Sequence, residues 1–166
     1  PVEPEDLVII GPVNVDTPIP DNDPQGITRF VDIEETLRLE SVELIVNIQS
    51  SYIGDLEITL TSPGGTTSVL TKKRSDPQDD MNNVILTTHR HWDEFAHGTW
   101  TINVSDQWQQ DLAHWDDFTL NLYGTIQCPA DFNADGRINT SDFIEFLNAY
   151  VINDPRADFS GDGLIN

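Results

Sequence analysis

With 166 residues, 29 acidic against 8 basic side chains and a formal net charge of −21, the chain is ill suited to nucleic acid or an anionic membrane surface, both of which require positive charge. No apolar run approaches the length of a membrane span, so no membrane insertion is expected, and the single cysteine, Cys128, has no internal disulfide partner. The length suits one sizeable domain, alone or with a small appendage.

From Val2 to Ile126 the hydrophobic pattern has period two. Val42, Leu44, Val46 and Ile48 alternate with polar residues, as do Leu56, Ile58 and Leu60, then Trp100, Ile102 and Val104. The run 118–122 is a fourth case, and weaker strands are predicted near 7–10, 27–31, 68–70 and 84–86. Strict alternation places one face of each strand in a core and the other in water. Turn residues at Tyr52-Ile-Gly-Asp55, Ser62-Pro-Gly-Gly65 and His97-Gly98 separate the strands. No segment before residue 139 has the period of a long amphipathic helix. The fold class predicted is mainly β, an antiparallel β-sandwich of about eight or nine strands.

The run Val46-Asn-Ile-Gln-Ser-Ser-Tyr-Ile-Gly-Asp-Leu-Glu-Ile-Thr-Leu-Thr-Ser-Pro-Gly-Gly-Thr66 resembles the P domain, or Homo B domain, of proprotein convertases. The resemblance continues upstream through Ile19-Pro-Asp-Asn-Asp23 and downstream through Gly98-Thr-Trp-Thr-Ile-Asn-Val-Ser-Asp106. Two departures stand out. Gln49 takes a place where the family often has His, and near the end Trp115 and Phe118 replace Leu and Trp, which predicts that these two rings share one aromatic volume. The resemblance implies a jelly-roll-like sandwich that stabilises or regulates a subtilisin-like serine protease domain without carrying its nucleophile. The residues agree: there is no G-x-S-x-G elbow, and no Ser, His and Asp arrangement follows from spacing. The fragment itself is therefore expected to be no enzyme, with a protease or other catalytic domain as its partner within a longer parent chain. Asp55 is the family's hallmark carboxylate, with a predicted structural role as acceptor of turn N–H groups.

At residue 130 the pattern changes. Asp131-Phe-Asn-Ala-Asp-Gly-Arg-Ile-Asn-Thr-Ser-Asp142 places side-chain oxygens at Asp131, Asn133 and Asp135, in loop positions one, three and five. Gly136 follows where the chain must turn sharply, Arg137 needs to offer only its carbonyl, Asn139 binds directly or through water, and Asp142 stands at position twelve. Calcium prefers six to eight such oxygen ligands and is the cofactor predicted. Phe143, Ile144, Phe146, Leu147, Tyr150 and Val151 recur at helical spacing behind Asn139 as N-cap, and Asp154-Pro155 closes the helix. No helix enters the loop, so it departs from an EF-hand and resembles the dockerin repeat. That resemblance implies a cohesin-like protein partner. A second, weaker half-loop follows at Asp158, Ser160, Asp162, Leu164 and Asn166, which predicts little or no calcium binding there and a parent that continues further.

The predicted organisation is a P-domain-like sandwich over 1–126, a linker over 127–129 and a dockerin-like calcium-loop-plus-helix segment over 130–166. Calcium loops of this kind suit the millimolar calcium outside cells, so a secreted or cell-surface location is expected. Two rivals remain. Trp92, Trp108 and Trp115 could form a sugar-stacking platform, making the chain a carbohydrate-binding module of an extracellular polysaccharide-degrading enzyme. Alternatively His89, His91 and His97 could hold zinc in a metal-dependent hydrolase. Two acidic loops, Asp16, Asp21 and Asp23, and Asp76, Asp79 and Asp80, are further candidates for calcium.

Overall fold

The computed structural model describes residues 6–126, 130–133, 137–158 and 165. The chain divides into two compact units, Pro1–Ile126 and Gln127–Asn166.

The first unit is a sandwich of two four-stranded antiparallel sheets. Its strands are β1 (Asp6–Ile19), β2 (Ile27–Ile33), β3 (Leu37–Ser50), β4 (Leu56–Thr61), β5 (Thr67–Thr71), β6 (Met81–Thr88), β7 (Gly98–Asp106) and β8 (Ala113–Ile126). One sheet has the order β1-β8-β3-β6 and the other β2-β7-β4-β5. The alternating residues do what their period requires. Val42, Leu44, Val46 and Ile48 from one sheet, and Leu56, Ile58, Leu60, Trp100, Ile102 and Val104 from the other, are buried together in one core.

Strand β8 breaks the alternation at one point. Asn47 pairs with Asp117 but Ile48 pairs with Trp115, so Asp116 is an extra residue in the ladder. Such a bulge re-aims the side chains that follow. It turns both Trp115 and Phe118 into the core, where their ring centroids lie 5.4 Å apart. The shared aromatic volume expected from the sequence is present, and the bulge is the device that creates it. Gln49, where the family often has His, donates to the carboxylate of the bulged Asp116 at 3.0 Å.

Two glycines hold the loops at one end of this unit. Gly26 has φ +58, and a Cβ there would stand 2.2 Å from the Val104 carbonyl oxygen. Gly54 lies in the short 3-10 turn Ile53–Asp55, where a Cβ would be 2.5 Å from the Arg74 carbonyl oxygen. Both positions exclude any larger side chain without backbone movement.

In the second unit, the described residues form a helix, α1 (Thr140–Val151), and a 3-10 turn, Pro155–Ala157. Asn139 caps the helix in a reciprocal box with Asp142, and Asp154 caps the turn that follows. Phe132 packs edge-on against Phe146 at 5.7 Å, and the Arg156 guanidinium lies 5.4 Å from the Phe132 centroid. Among the described residues no helix is long and apolar enough to cross a membrane.

Candidate functional site

The tail loop is built around Asp142. This side chain is almost fully buried, although the helix around it is largely exposed. One carboxylate oxygen accepts the N–H of Asn133 at 3.2 Å and the other accepts the N–H of Asn139 at 2.7 Å. Loop positions three, nine and twelve are thus drawn together. The Asn139 N–H holds the Asp142 carboxyl below the usual range against the effect of burial, with help from the Asn133 N–H and from a hydrogen bond with the Asp131 side chain. Carboxylates from positions one and twelve therefore meet, and two such groups in contact require a proton or a cation between them. The donors are all hard oxygens, which is the set calcium takes. Asn139 also accepts the Ser141 N–H at 2.8 Å and donates to the Arg137 carbonyl at 3.2 Å. Asp135 and Gly136, as well as Cys128, Ser160, Asp162, Leu164 and Asn166, fall outside the described residues. Of the weaker half-loop, Asp158 is described, and its backbone N–H donates to the Pro155 carbonyl at 3.1 Å.

The other sequence candidates separate on inspection of the sandwich. The three histidines follow β6 instead of lying along a strand: His89 and His97 are exposed, whereas His91 is 1% exposed and stacks edge-on against Trp100 at 5.0 Å. Burial lowers the His91 pKa, with Glu94 opposing that shift and Arg90 adding to it, so the imidazole is a neutral packing element. Of the three rings proposed for an aromatic platform, two are exposed and one is not. Trp115 is in the core, the face of Trp108 carries the Lys73 ammonium 3.3 Å from its centroid, and Trp92 is exposed. In the acidic loops, Asp80 accepts the Ser50 N–H at 2.8 Å, Asp76 pairs with Arg74 at 2.9 Å, and Asp23 accepts the Gln25 N–H at 2.9 Å. Asp23 thus serves its own turn, whereas Asp80 ties the end of β3 to the segment before β6.

Asp55 differs from its predicted role. The turn's own bonds are made backbone to backbone: Ile53 N–H to the Gln78 carbonyl, Gly54 N–H to Asp76, and Gln107 N–H to Asp55 itself, at 2.9–3.1 Å. The Asp55 side chain, 5% exposed, is left to open into a cleft of about 620 Å³ that Tyr52, Lys73, Trp108 and Asp111 also line. Burial pushes its carboxyl up, Lys73 pulls it back and Asp111 adds to the rise. Asp106, which closes the family-like run 98–106, ends β7, and Asp111 lies in the connection between β7 and β8.

A family profile described as the proprotein convertase P-domain matches residues 39–122, about half of the chain. The chain belongs to the proprotein convertase P-domain family. The matched segment holds β3 to most of β8, including the Tyr52–Asp55 turn, whereas the tail lies outside it. Among curated proteins, the P domain is 38% identical over 100 residues to neuroendocrine convertase 2 of Mus musculus, covering 55% of this chain and 15% of that protein. It is 26% identical over 107 residues to a dibasic-processing endoprotease of Yarrowia lipolytica, covering 63% of this chain and 11% of that protein. The chain thus spans only about a seventh of the length of the first of these relatives. Among solved structures, the serine protease of Aeromonas sobria, in its complex with a chaperone, matches with a TM-score of 0.64 at 17% identity, over 76% of this chain and 28% of that one. That likeness establishes the shared sandwich.

Proposed function

We propose that this chain is a non-catalytic accessory module of a secreted multidomain protein, and that its P domain stabilises or regulates a subtilisin-like serine protease in the same parent chain. The observation that carries the reading is the family match over 39–122, together with relatives named as convertases of which the chain covers only a small part. The test is to express the parent chain with and without the P domain. Deleting it should lower the yield of active, secreted protease at least tenfold, and an undiminished yield would refute the role. The carbohydrate-binding reading has less support, since Trp115, one of its three proposed stacking rings, is fully buried.

The tail is proposed to be a dockerin-like calcium loop formed by Asp131, Asn133, Asp135, the Arg137 carbonyl, Asn139 and Asp142. The buried position of Asp142 and its contact with Asp131 support this. Calorimetry on the chain and on Asp135→Ala tests it: the variant should lose one bound calcium, and unchanged binding removes the site. A cohesin-like partner would read Thr140 and Ser141, which follow loop position nine and are exposed at the start of α1.

A further inference from the structure

In a chain of net charge −21, three of the eight basic residues stand in a row, Lys72-Lys73-Arg74, and no other Lys or Arg has a Lys or Arg neighbour. The run opens the connection between β5 and β6, residues 72–80, which holds neither helix nor strand. Lys72, Lys73, Arg74 and Ser75 are all exposed, and the residue after the basic run is a serine, with no proline to block the bond. Exposed irregular connections are where proteases nick folded chains.

The connection is moored by bonds that lie outside both sheets. The Arg74 N–H donates to the Gly54 carbonyl at 2.8 Å, the Gly54 N–H to the Asp76 carbonyl at 3.1 Å and the Ile53 N–H to the Gln78 carbonyl at 3.0 Å. The Arg74 guanidinium pairs with Asp76 at 2.9 Å, and the Lys73 ammonium rests on the Trp108 ring. Releasing these contacts frees the segment without breaking a strand pairing, so it can open while both sheets stay intact. Cleavage there follows the population of that local opening and not of global unfolding.

We propose that the Arg74–Ser75 bond is a processing site for a protease that cleaves after paired basic residues, and that the cut chain persists as a two-piece sandwich. Water adds across the peptide bond, leaving a carboxylate on Arg74 and an ammonium on Ser75. Residues 1–74 keep β1 to β5, and residues 75–166 keep β6 to β8 and the tail. The two sheets interleave these pieces: β8 lies between β1 and β3, β7 between β2 and β4, and β6 against β3. Of the strand pairings, β4–β5 alone is internal to one piece. The core is shared in the same way, with Leu44 and Ile58 from one piece buried in one cluster with Trp100 and Leu120 from the other. Parting the pieces would expose those apolar faces to water, which holds them together after the cut. Arg74 and Ser75 line the cleft beside Asp55, so the new chain ends lie at its rim.

The full chain is digested under native conditions with a protease specific for paired basic residues, which has no other run to read in this sequence. A peptide spanning residues 68–80 serves as the reference substrate. The chain should be cut with Ser75 as the new N-terminus. The product should show two bands under denaturing conditions yet elute from gel filtration as one species of unchanged size. Lys73→Gln/Arg74→Gln should abolish the cut. Asp76→Asn and Trp108→Ala, which loosen the moorings and leave the core untouched, should each speed it by about threefold or more. Ile58→Val, which weakens the core, should leave the rate within about twofold, whereas cleavage through global unfolding would rise about fivefold. An intact chain where the peptide is consumed, or a rate that climbs with Ile58→Val, would overturn the site. Pieces that part on gel filtration would overturn the two-piece sandwich.

Discussion

In the sandwich, Leu44, Ile58, Trp100 and Leu120, from four strands distant in sequence, are fully buried together. In the tail, Phe143, Ile144, Leu147 and Val151 of one helix are exposed, and a carboxylate, Asp142, is among the few enclosed side chains. The first region is held by apolar area withdrawn from water through non-local pairing. The second is held by local polar bonds, a capping box and a few ring contacts within a short stretch of chain. The difference teaches where each should fail: the sandwich when its core is hollowed, the tail when its caps are removed.

The largest effect is expected from Trp100→Ala. This ring is fully buried and donates through Nε1 to the Ala96 carbonyl at 2.8 Å, so its loss should cost about 3–5 kcal/mol. Denaturant melts of the sandwich check it, and a cost below about 1 kcal/mol would mean that the core is not what holds this region. Next comes Asn139→Ala, which removes the N-cap of α1 and should cost about 1 kcal/mol of helix stability, read as lost helical circular dichroism. If the helix signal were unchanged, the tail would depend on packing as the sandwich does. The smallest effect concerns pH. Burial sets the folded His91 pKa below 6.5, so the unfolded chain takes up protons more readily than the folded one. Stability that is complete above about pH 6.5 should therefore fall as the pH drops toward the lowered folded value. His91→Leu should flatten that acid limb, with Glu94 and Arg90 as the charged neighbours left in place. An unaltered limb would assign it to carboxylates instead.

Much of the sandwich was legible because period-two alternation is a local signal. Val42 to Ile48, Leu56 to Leu60 and Trp100 to Val104 announce their faces without reference to partners. The weak strands at 7–10, 27–31, 68–70 and 84–86 were legible as strands but not in extent. β1 runs through Asp6–Ile19, beyond its apolar stretch, because its edge pairing with β8 supplies order that its own residues do not encode. The three histidines read as one candidate set because alternate residues share a strand face. They failed as a set because β6 ends at Thr88, before the first of them.

By itself, the sequence determined the strand faces, the helix with its Asn139 cap and the family, since each of these rests on residues only a few positions apart. Only the tertiary structure decided that Asp55 and Asp111 line one cleft with Lys73 and Trp108. The two aspartates lie 56 positions apart. Their proximity follows from the β4–β7 ladder and from loops closing over the end of the sandwich, both settled by core packing between the sheets. A one-dimensional pattern can state which side of a strand is dry. It does not state which strand ends will share a corner, because that depends on which sheets pair and in what register.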